Sequence, residues 1–500
     1  MDSIFRSFKP KCWLLASTLI TTCSATSQAA TWTNDTDYII FFLGGSPSIQ
    51  SPVNPIGGRV ITDVNVSLNL QNYNWPSLQV SLSNGTTDVV LSNFGQDGGP
   101  SVNGTYVLGD EFTDIIGSGD AGNYRPQNPL SVFNGQTEDG TWSLNFIGGC
   151  CPVTPANLYS WSLIISSLAS DQDYVSSVIG DIITGDVRQL IGTLDDRMTA
   201  SWGGGLQPAA YVQNPFKAGP GETTGGLWAR VNVAKADGMG EISGLGTLNN
   251  ASYEEDSSFF QGGGSFTITN SAESRLIGSI FAHYLVSNAD IDGAAGQAGN
   301  LSTKGLGAGG SLSWLLTNGF YTDFTALMVD HAIDVRTAGG QTGKANALTL
   351  ATSGELGFSF DLGGGLKIVP QVQSVYQHVS IDGFENSSGI FQDFQDNDSL
   401  EGRAGVNIEF ENPSATEQQV KFNLGANFVH EFLGSGTAVV AGSPLNYSGS
   451  DGSSLLLVGG ATVTPLGDGV RFGVHGNYEM PLQNDGRKSL GASATVGWVW

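Results

Sequence analysis

"GASATVGWVW", Gly491 to Trp500, closes the chain on strict alternation: Ala494, Val496, Trp498 and Trp500 share one face, and Thr495, Gly497 and Val499 the other. The last residues of a soluble domain usually fray and carry few large aromatics. Tryptophans at the tip instead predict a final strand with one face in lipid, where aromatic rings favour the membrane interface. Earlier stretches share the period. In "LEGRAGVNIEF", Leu400, Gly402, Ala404, Val406, Ile408 and Phe410 oppose Glu401, Arg403, Asn407 and Glu409. In "VRFGVHGNYEM", Val470, Phe472, Val474, Gly476, Tyr478 and Met480 oppose Arg471, His475, Asn477 and Glu479. An apolar exterior around a polar interior suits a transmembrane barrel, because lipid satisfies no open sheet edge and closure removes the edges. A soluble antiparallel sandwich would alternate too. Strands approaching the ~10 residues that cross a membrane, and a chain ending on a strand, favour the barrel.

The start of the chain reads as an export signal over residues 1–30. Arg6, Lys9 and Lys11 precede a short apolar stretch from Trp13 to Ile20, and "SQAA" supplies small residues for cleavage. Thr22 before Cys23 fits a lipoprotein site poorly. Only Cys150 and Cys151 then remain, and they either close a vicinal disulfide or stay as two free thiols before Pro152. The 500 residues carry 20 Lys and Arg against 46 Asp and Glu, a net charge of −26, which argues against nucleic acid as a partner.

Between these ends the period changes twice. Over residues 31–170, "VNVSLNL" (Val64 to Leu70), "LQVSL" (Leu78 to Leu82), "TWSLNF" (Thr141 to Phe146) and "YSWSLIIS" (Tyr159 to Ser166) predict an antiparallel β-sandwich. This segment holds two bases, Arg59 and Arg125, against eleven acids. Val175, Val178, Ile179, Ile182, Ile183, Leu190, Ile191 and Leu194 then recur at helical spacing, placing a helix over 171–200 with Gly180, Gly185 and Gly192 as interruptions. A Gly/Pro-rich linker over 201–226 leads to the barrel over 227–500.

The C-terminal segment resembles the autotransporter β-barrel family through "LWAR" after Gly226, "GFYTDFTA" (Gly319 to Ala326), "SGELGFSF" (Ser353 to Phe360), "IVPQVQSVYQ" (Ile368 to Gln377), "SLEGRAGVNIEF" (Ser399 to Phe410) and the terminal aromatic. The resemblance implies a 12-strand outer-membrane barrel threaded by a helix, with a passenger exposed outside. It assigns the predicted helix to the lumen, where ~29 residues would run ~43 Å, beside Gln371, Gln373, Arg403 and Asn407. It also makes Val496, Trp498 and Trp500 the signal read by the barrel-assembly machinery. Passenger release within the helix is common in the family, but this helix has no adjacent asparagine pair.

The N-terminal segment is similar to the P domain, or Homo B domain, of subtilisin-like proprotein convertases, a jelly-roll sandwich. The matching stretches are "ITDVNVSLNL" (Ile61 to Leu70), "LQVSLSNGTTDVVL" (Leu78 to Leu91), "YRPQNPLSVFNGQTEDGTWSLNF" (Tyr124 to Phe146) and "LYSWSLII" (Leu158 to Ile165). Here "WPSL" (Trp75 to Leu78) replaces the family's "GDL", and "GGCCPV" (Gly148 to Val153) replaces an acidic turn. Asp110 and Glu111 fall where the family has paired acids, which makes them candidate calcium ligands. The resemblance also implies association with a serine endopeptidase.

No catalyst is visible in the residues. Ser-His-Asp chemistry needs an imidazole, yet His283, His331, His378, His430 and His475 all lie in the barrel segment, as wall or lumen residues. A G-x-S-x-G elbow is missing, and "GSGDAG" (Gly117 to Gly122) lacks the lysine of a P-loop. The expectation is an outer-membrane autotransporter displaying a non-enzymatic binding or adhesion module. Its expected partners are outer-membrane lipid, the assembly machinery, and an extracellular ligand or separate protease. The alternatives are a protease-associated module, or a plain channel, which would require the helix to leave the lumen.

Overall fold

The computed structural model describes residues 29–40, 48–53, 58–72, 78–94, 102–115, 120–148, 156–192, 225–246, 249–412, 419–434, 436–449, 452–464, 470–483 and 486–499. The export signal up to residue 28, Cys150, Cys151, Trp500 and most of the 201–226 linker lie outside these residues.

Ten strands come first: β1 (Ala30–Asn34), β2 (Tyr38–Ile40), β3 (Ser48–Val53), β4 (Val60–Asn72), β5 (Leu78–Ser83), β6 (Asp88–Phe94), β7 (Val102–Leu108), β8 (Gly122–Tyr124), β9 (Trp142–Gly148) and β10 (Ala156–Leu168). One layer runs β1-β10-β4-β7-β8, with β2 also on β10, and the other runs β3-β9-β5-β6. The antiparallel expectation fails at one pair: β7 and β8 run parallel, with Tyr106 opposite Gly122. The long segment between them makes this feasible, because a parallel pair needs a crossover of about a dozen residues. Alternation drives the packing. Val64, Val66, Leu68 and Leu70 of β4 meet Val80, Leu82, Leu144, Phe146 and Trp161 in one buried core. Trp142 packs 4.8 Å from the Phe133 ring and donates its indole N–H to the Glu138 carbonyl at 2.9 Å.

Helix α1 (Asp171–Ile191) follows almost directly. Of the expected 171–200, residues 193–200 lie outside the described residues. Gly192, at φ 56°, leaves the helical conformation while its N–H still completes the last bond to the Arg188 carbonyl. Gly180 and Gly185, expected as interruptions, leave it unbroken, and their reason lies in the lumen packing described below.

The remaining strands are β11 (Gly225–Ser243), β12 (Asn249–Asn270), β13 (Ser274–Gly293), β14 (Gly296–Leu316), β15 (Phe320–Thr337), β16 (Thr342–Phe358), β17 (Phe360–Gly363), β18 (Leu366–Ile381), β19 (Phe384–Glu385), β20 (Phe391–Phe394), β21 (Asn397–Glu411), β22 (Gln419–Glu431), β23 (Gly436–Val440), β24 (Ser443–Tyr447), β25 (Gly452–Thr464), β26 (Val470–Pro481) and β27 (Gly486–Val499). Twelve long strands form a closed barrel, sealed where Trp498 of β27 stands opposite Leu227 of β11. Strands β19, β20, β23 and β24 extend the hairpins at the mouth, and β17 extends one at the opposite end. Apolar side chains such as Leu227, Ile280, Leu306, Leu424 and Val474 face outward, while Arg230, Gln371, Gln373, Asn407 and Glu409 are buried inside. Outward apolar positions suit lipid, and the inward alternates hydrogen-bond within a filled lumen. The strands exceed the ~10 residues needed to cross a membrane. They range from 12 in β26 to 22 in β12, since the ladder continues beyond the apolar band.

Candidate functional site: the lumen helix and the closed mouth

Helix α1 is buried along nearly its whole length and packs on β12–β16, β18, β23 and β24. Such encirclement places it inside the barrel. Wall side chains cap its last carbonyls, which have no partner within the helix itself: Arg230 donates to the Leu190 carbonyl at 2.6 Å and Gln373 to the Gly192 carbonyl at 2.9 Å.

Charge locks the lower helix. Arg188 Nε lies 2.7 Å from Glu401 Oε2, and its other nitrogens lie 3.9 Å from Glu431 and 3.7 Å from Glu479. One helix cation therefore ties β21, β22 and β26 together. A turn away, a methyl group on Gly185 would overlap the Arg487 guanidinium, which pairs with Glu255 at 2.9 Å. Gly180 faces Asn397 Nδ2, which a Cβ would approach to 2.8 Å. The two glycines are clearances for wall side chains. Higher up, Tyr253 donates to Asp181 at 2.7 Å, and Gln172 joins Gln392 at 2.7 Å and Asn386 at 3.0 Å.

At the mouth the helix start, the sandwich and the barrel converge on Arg59. Ser170 and Asp173 form a reciprocal capping box, satisfying backbone donors at the helix start. The same Asp173 carboxylate accepts two bonds from Arg59, from Nε at 2.9 Å and Nη2 at 2.8 Å. Arg59 Nη1 donates to Glu138 at 3.1 Å and to Ser443 Oγ at 3.0 Å, and Nη2 to the Val440 carbonyl at 2.9 Å. A guanidinium has five N–H donors, and all five are used here. Both ion pairs are fully buried. Burial alone would lower the Arg59 pKa, but Asp173 first and then Glu138 hold it above its ordinary value. Glu138, short of a second cation, is pushed up to about 7, first by burial and then by Asp173 and Asp139 against the pull of Arg59. A second contact adjoins it: Ser167 N donates to the Leu245 carbonyl at 2.9 Å and Ala169 N to Asn249 Oδ1 at 3.3 Å.

The expected calcium ligands are arranged for other work. Asp110 accepts the backbone N–H groups of Leu130 at 2.9 Å and Ser131 at 2.7 Å, capping a short 3-10 turn. Glu111 turns away to Asn65 Nδ2 at 3.0 Å. Among the described residues no group of three or more His, Cys, Asp or Glu is gathered to hold a metal ion. Val496 and Trp498 face outward on β27, with Trp498 52% exposed, while Trp500 lies outside the described residues. The five histidines stand on barrel strands; His283 and His331 point inward, and His378 pairs with Asp398 at 2.8 Å on the outer wall. Sequence reasoning missed Arg59, Glu138 and Asp173. The only signal was a capping pattern at "SDQD" (Ser170 to Asp173), which marks the helix start but not its partner.

Comparison with known proteins settles the barrel's kinship: residues 227–499 match the Autotransporter beta-domain model. The chain belongs to that family. This places the barrel in the outer membrane, with the N-terminal part of the chain exposed at the cell surface. A 230-residue stretch is 29% identical to the Adhesin BmaC autotransporter of Brucella suis biovar 1 (strain 1330), covering 45% of this chain. The match spans only 6% of that protein. Among solved autotransporter structures, the AIDA-I transport unit from Escherichia coli aligns with a TM-score of 0.48 at 12% identity, over 65% of this chain and 98% of that one. The beta domain of Bordetella BrkA aligns with a TM-score of 0.42 at 19% identity, over 55% and 98%.

Proposed function

We propose that the barrel anchors a small P-domain-like sandwich at the cell surface as a binding or adhesion module. One observation carries this reading. The sandwich runs straight into a lumen-filling helix and is seated on the mouth opposite the end of the final strand. The helix is locked by Arg188 and its carbonyls are capped by the wall, so the lumen is filled, which speaks against a plain channel. The adhesin name of the Brucella relative supports a role in attachment. An extracellular ligand, or a separate protease recognised through the P-domain likeness, is its proposed partner.

The test is proteinase K added to intact cells carrying a tag just after Ala30. Loss of the tag with a protected barrel is the expected result. A tag cleaved only after the outer membrane is opened would overturn the surface assignment. Binding is then tested with the full chain in outer-membrane vesicles against host-cell matrix. Capture equal to that of vesicles whose chain lacks residues 58–168 would exclude the sandwich as the adhesive part.

A further inference from the structure

Strands β11 to β16 run for 17 to 22 residues, about twice the ~9–11 needed to cross hydrocarbon. Their outer faces divide accordingly. Toward the end where the chain stops, the outward residues are apolar, as with Leu227, Phe266, Ile280, Leu312, Phe324 and Leu350. Nearer the mouth, the outward positions form two unbroken cross-strand rows with no apolar member. One row passes by register through Lys235, Asp256, Asn288, Ser302, Asp334 and Lys344. The next passes through Asp237, Glu254, Asp290, Asn300, Arg336 and Thr342. Together with the turn at Glu385 and Ser387 they line a groove of about 1130 Å³.

We propose that this groove holds the phosphorylated saccharide headgroup of an outer-leaflet glycolipid. Position supports that occupant. Two alternate positions span ~7 Å of strand, or ~5 Å along the membrane normal at a tilt near 40°, which is the depth of one headgroup layer. The groove is also continuous with the lipid-facing surface, so a molecule seated there can keep its acyl chains against Leu350, Leu306 and Phe260. Chemistry supports it as well. The amides of Asn288 and Asn300, the hydroxyls of Ser302 and Thr342, and the carboxylates of Glu254 and Asp290 suit a sugar rich in hydroxyls. Lys235, Lys344 and Arg336 suit phosphate. Lys235 and Lys344 sit 3.0 Å from Asp256 and Asp334, but their side chains are 78% and 85% exposed. Exposed pairs of this kind are weak, so the phosphate is met at Lys235, Arg336 and Lys344 alone, while the more numerous carboxylates of the groove face sugar hydroxyls.

The inference rests on the outer-membrane placement of the barrel and not on the passenger's role. Its test is native mass spectrometry of the full chain released from mixed micelles containing a bis-phosphorylated, acylated diglucosamine lipid. The wild-type chain should retain this lipid, and the Lys235→Gln, Arg336→Gln, Lys344→Gln triple variant should retain it at least tenfold less. Removing the lipid's phosphates should have a comparable effect. The Arg125→Gln variant, altered in the sandwich, should bind as the wild type does. Heat-modifiable migration on gels verifies that each barrel is folded. Equal retention by the folded triple variant would overturn the proposal, and so would equal retention of phosphatidylglycerol, which lacks the saccharide.

Discussion

Arg59 shows how one side chain joins three parts of the chain. Replacing it with Met leaves Glu138 and Asp173 buried without their cation, a loss that costs about 3–5 kcal/mol when one member of a buried pair is removed. Limited proteolysis should then cut the sandwich from the barrel rapidly while the barrel keeps its heat-modifiable migration. Unchanged protection would show that Ser167 and Ala169 suffice. Acidity acts at the same place. The Glu138 carboxyl is pushed up from an ordinary 4.5 to about 7, so the closed site holds a proton that an unfolded glutamate would have released. The contact is therefore strongest below about 4.5, weakens as pH rises to 7, and is weakest above. Arg59, Asp173 and Asp139 surround the group, and Asp63, raised first by burial and then by Glu111, adds a trend of the same sign within the sandwich. Protection factors across residues 58–72, which remove the intrinsic acceleration of exchange with pH, should fall between pH 5.5 and pH 8, and Glu138→Gln should remove the part of that fall due to this contact. None of this was legible beforehand. Arg59 reads as a loop cation, and its partners lie 79, 114 and 384 residues away in sequence.

At the scale of the element, the sequence announced the helix but misread its glycines. Apolar residues at helical spacing signalled α1, yet three glycines read as breaks because glycine is costly in a helix interior. In the lumen two of them are required by the side chains opposite. Gly185→Leu is therefore expected to eject the helix or block assembly, since Arg487 occupies the space its Cβ would need. Gly180→Ala should be milder, because the atom it meets is the end of an Asn397 amide that can swing away. Folded-barrel yields on gels separate the two, and equal yields would refute the clearance argument. Arg188→Met should leave Glu401, Glu431 and Glu479 without their shared helix cation, and it is expected to raise single-channel conductance in planar bilayers. A silent barrel would show that the glutamines above are enough to seat the helix.

For the molecule as a whole, period two read a barrel only together with strands long enough to cross a membrane and a chain that closes on a strand. Lipid outside and polar groups inside leave little room for another arrangement of residues such as Val474 beside His475. Strand length was not legible, because the same alternation continues past the membrane and only the switch from Leu348 to Lys344 marks where it ends. The role of Asp110 was hidden for a related reason: the backbone N–H groups it caps, on Leu130 and Ser131, lie 20 and 21 residues away in sequence. At the closing strand, replacing Trp498 and Trp500 with Gln should sharply reduce the folded barrel in outer-membrane fractions, and unchanged levels would remove the assembly role given to this strand. The seating of the sandwich has a mechanical consequence. A pull applied to a ligand on the sandwich would not travel down the lumen helix alone. Part of it passes through Arg59 into the β23–β24 turn and part through Ser167 into the turn after β11. The load is thus shared between separate stretches of a hydrogen-bonded wall and the slender element inside the pore, which bears only part of the tension.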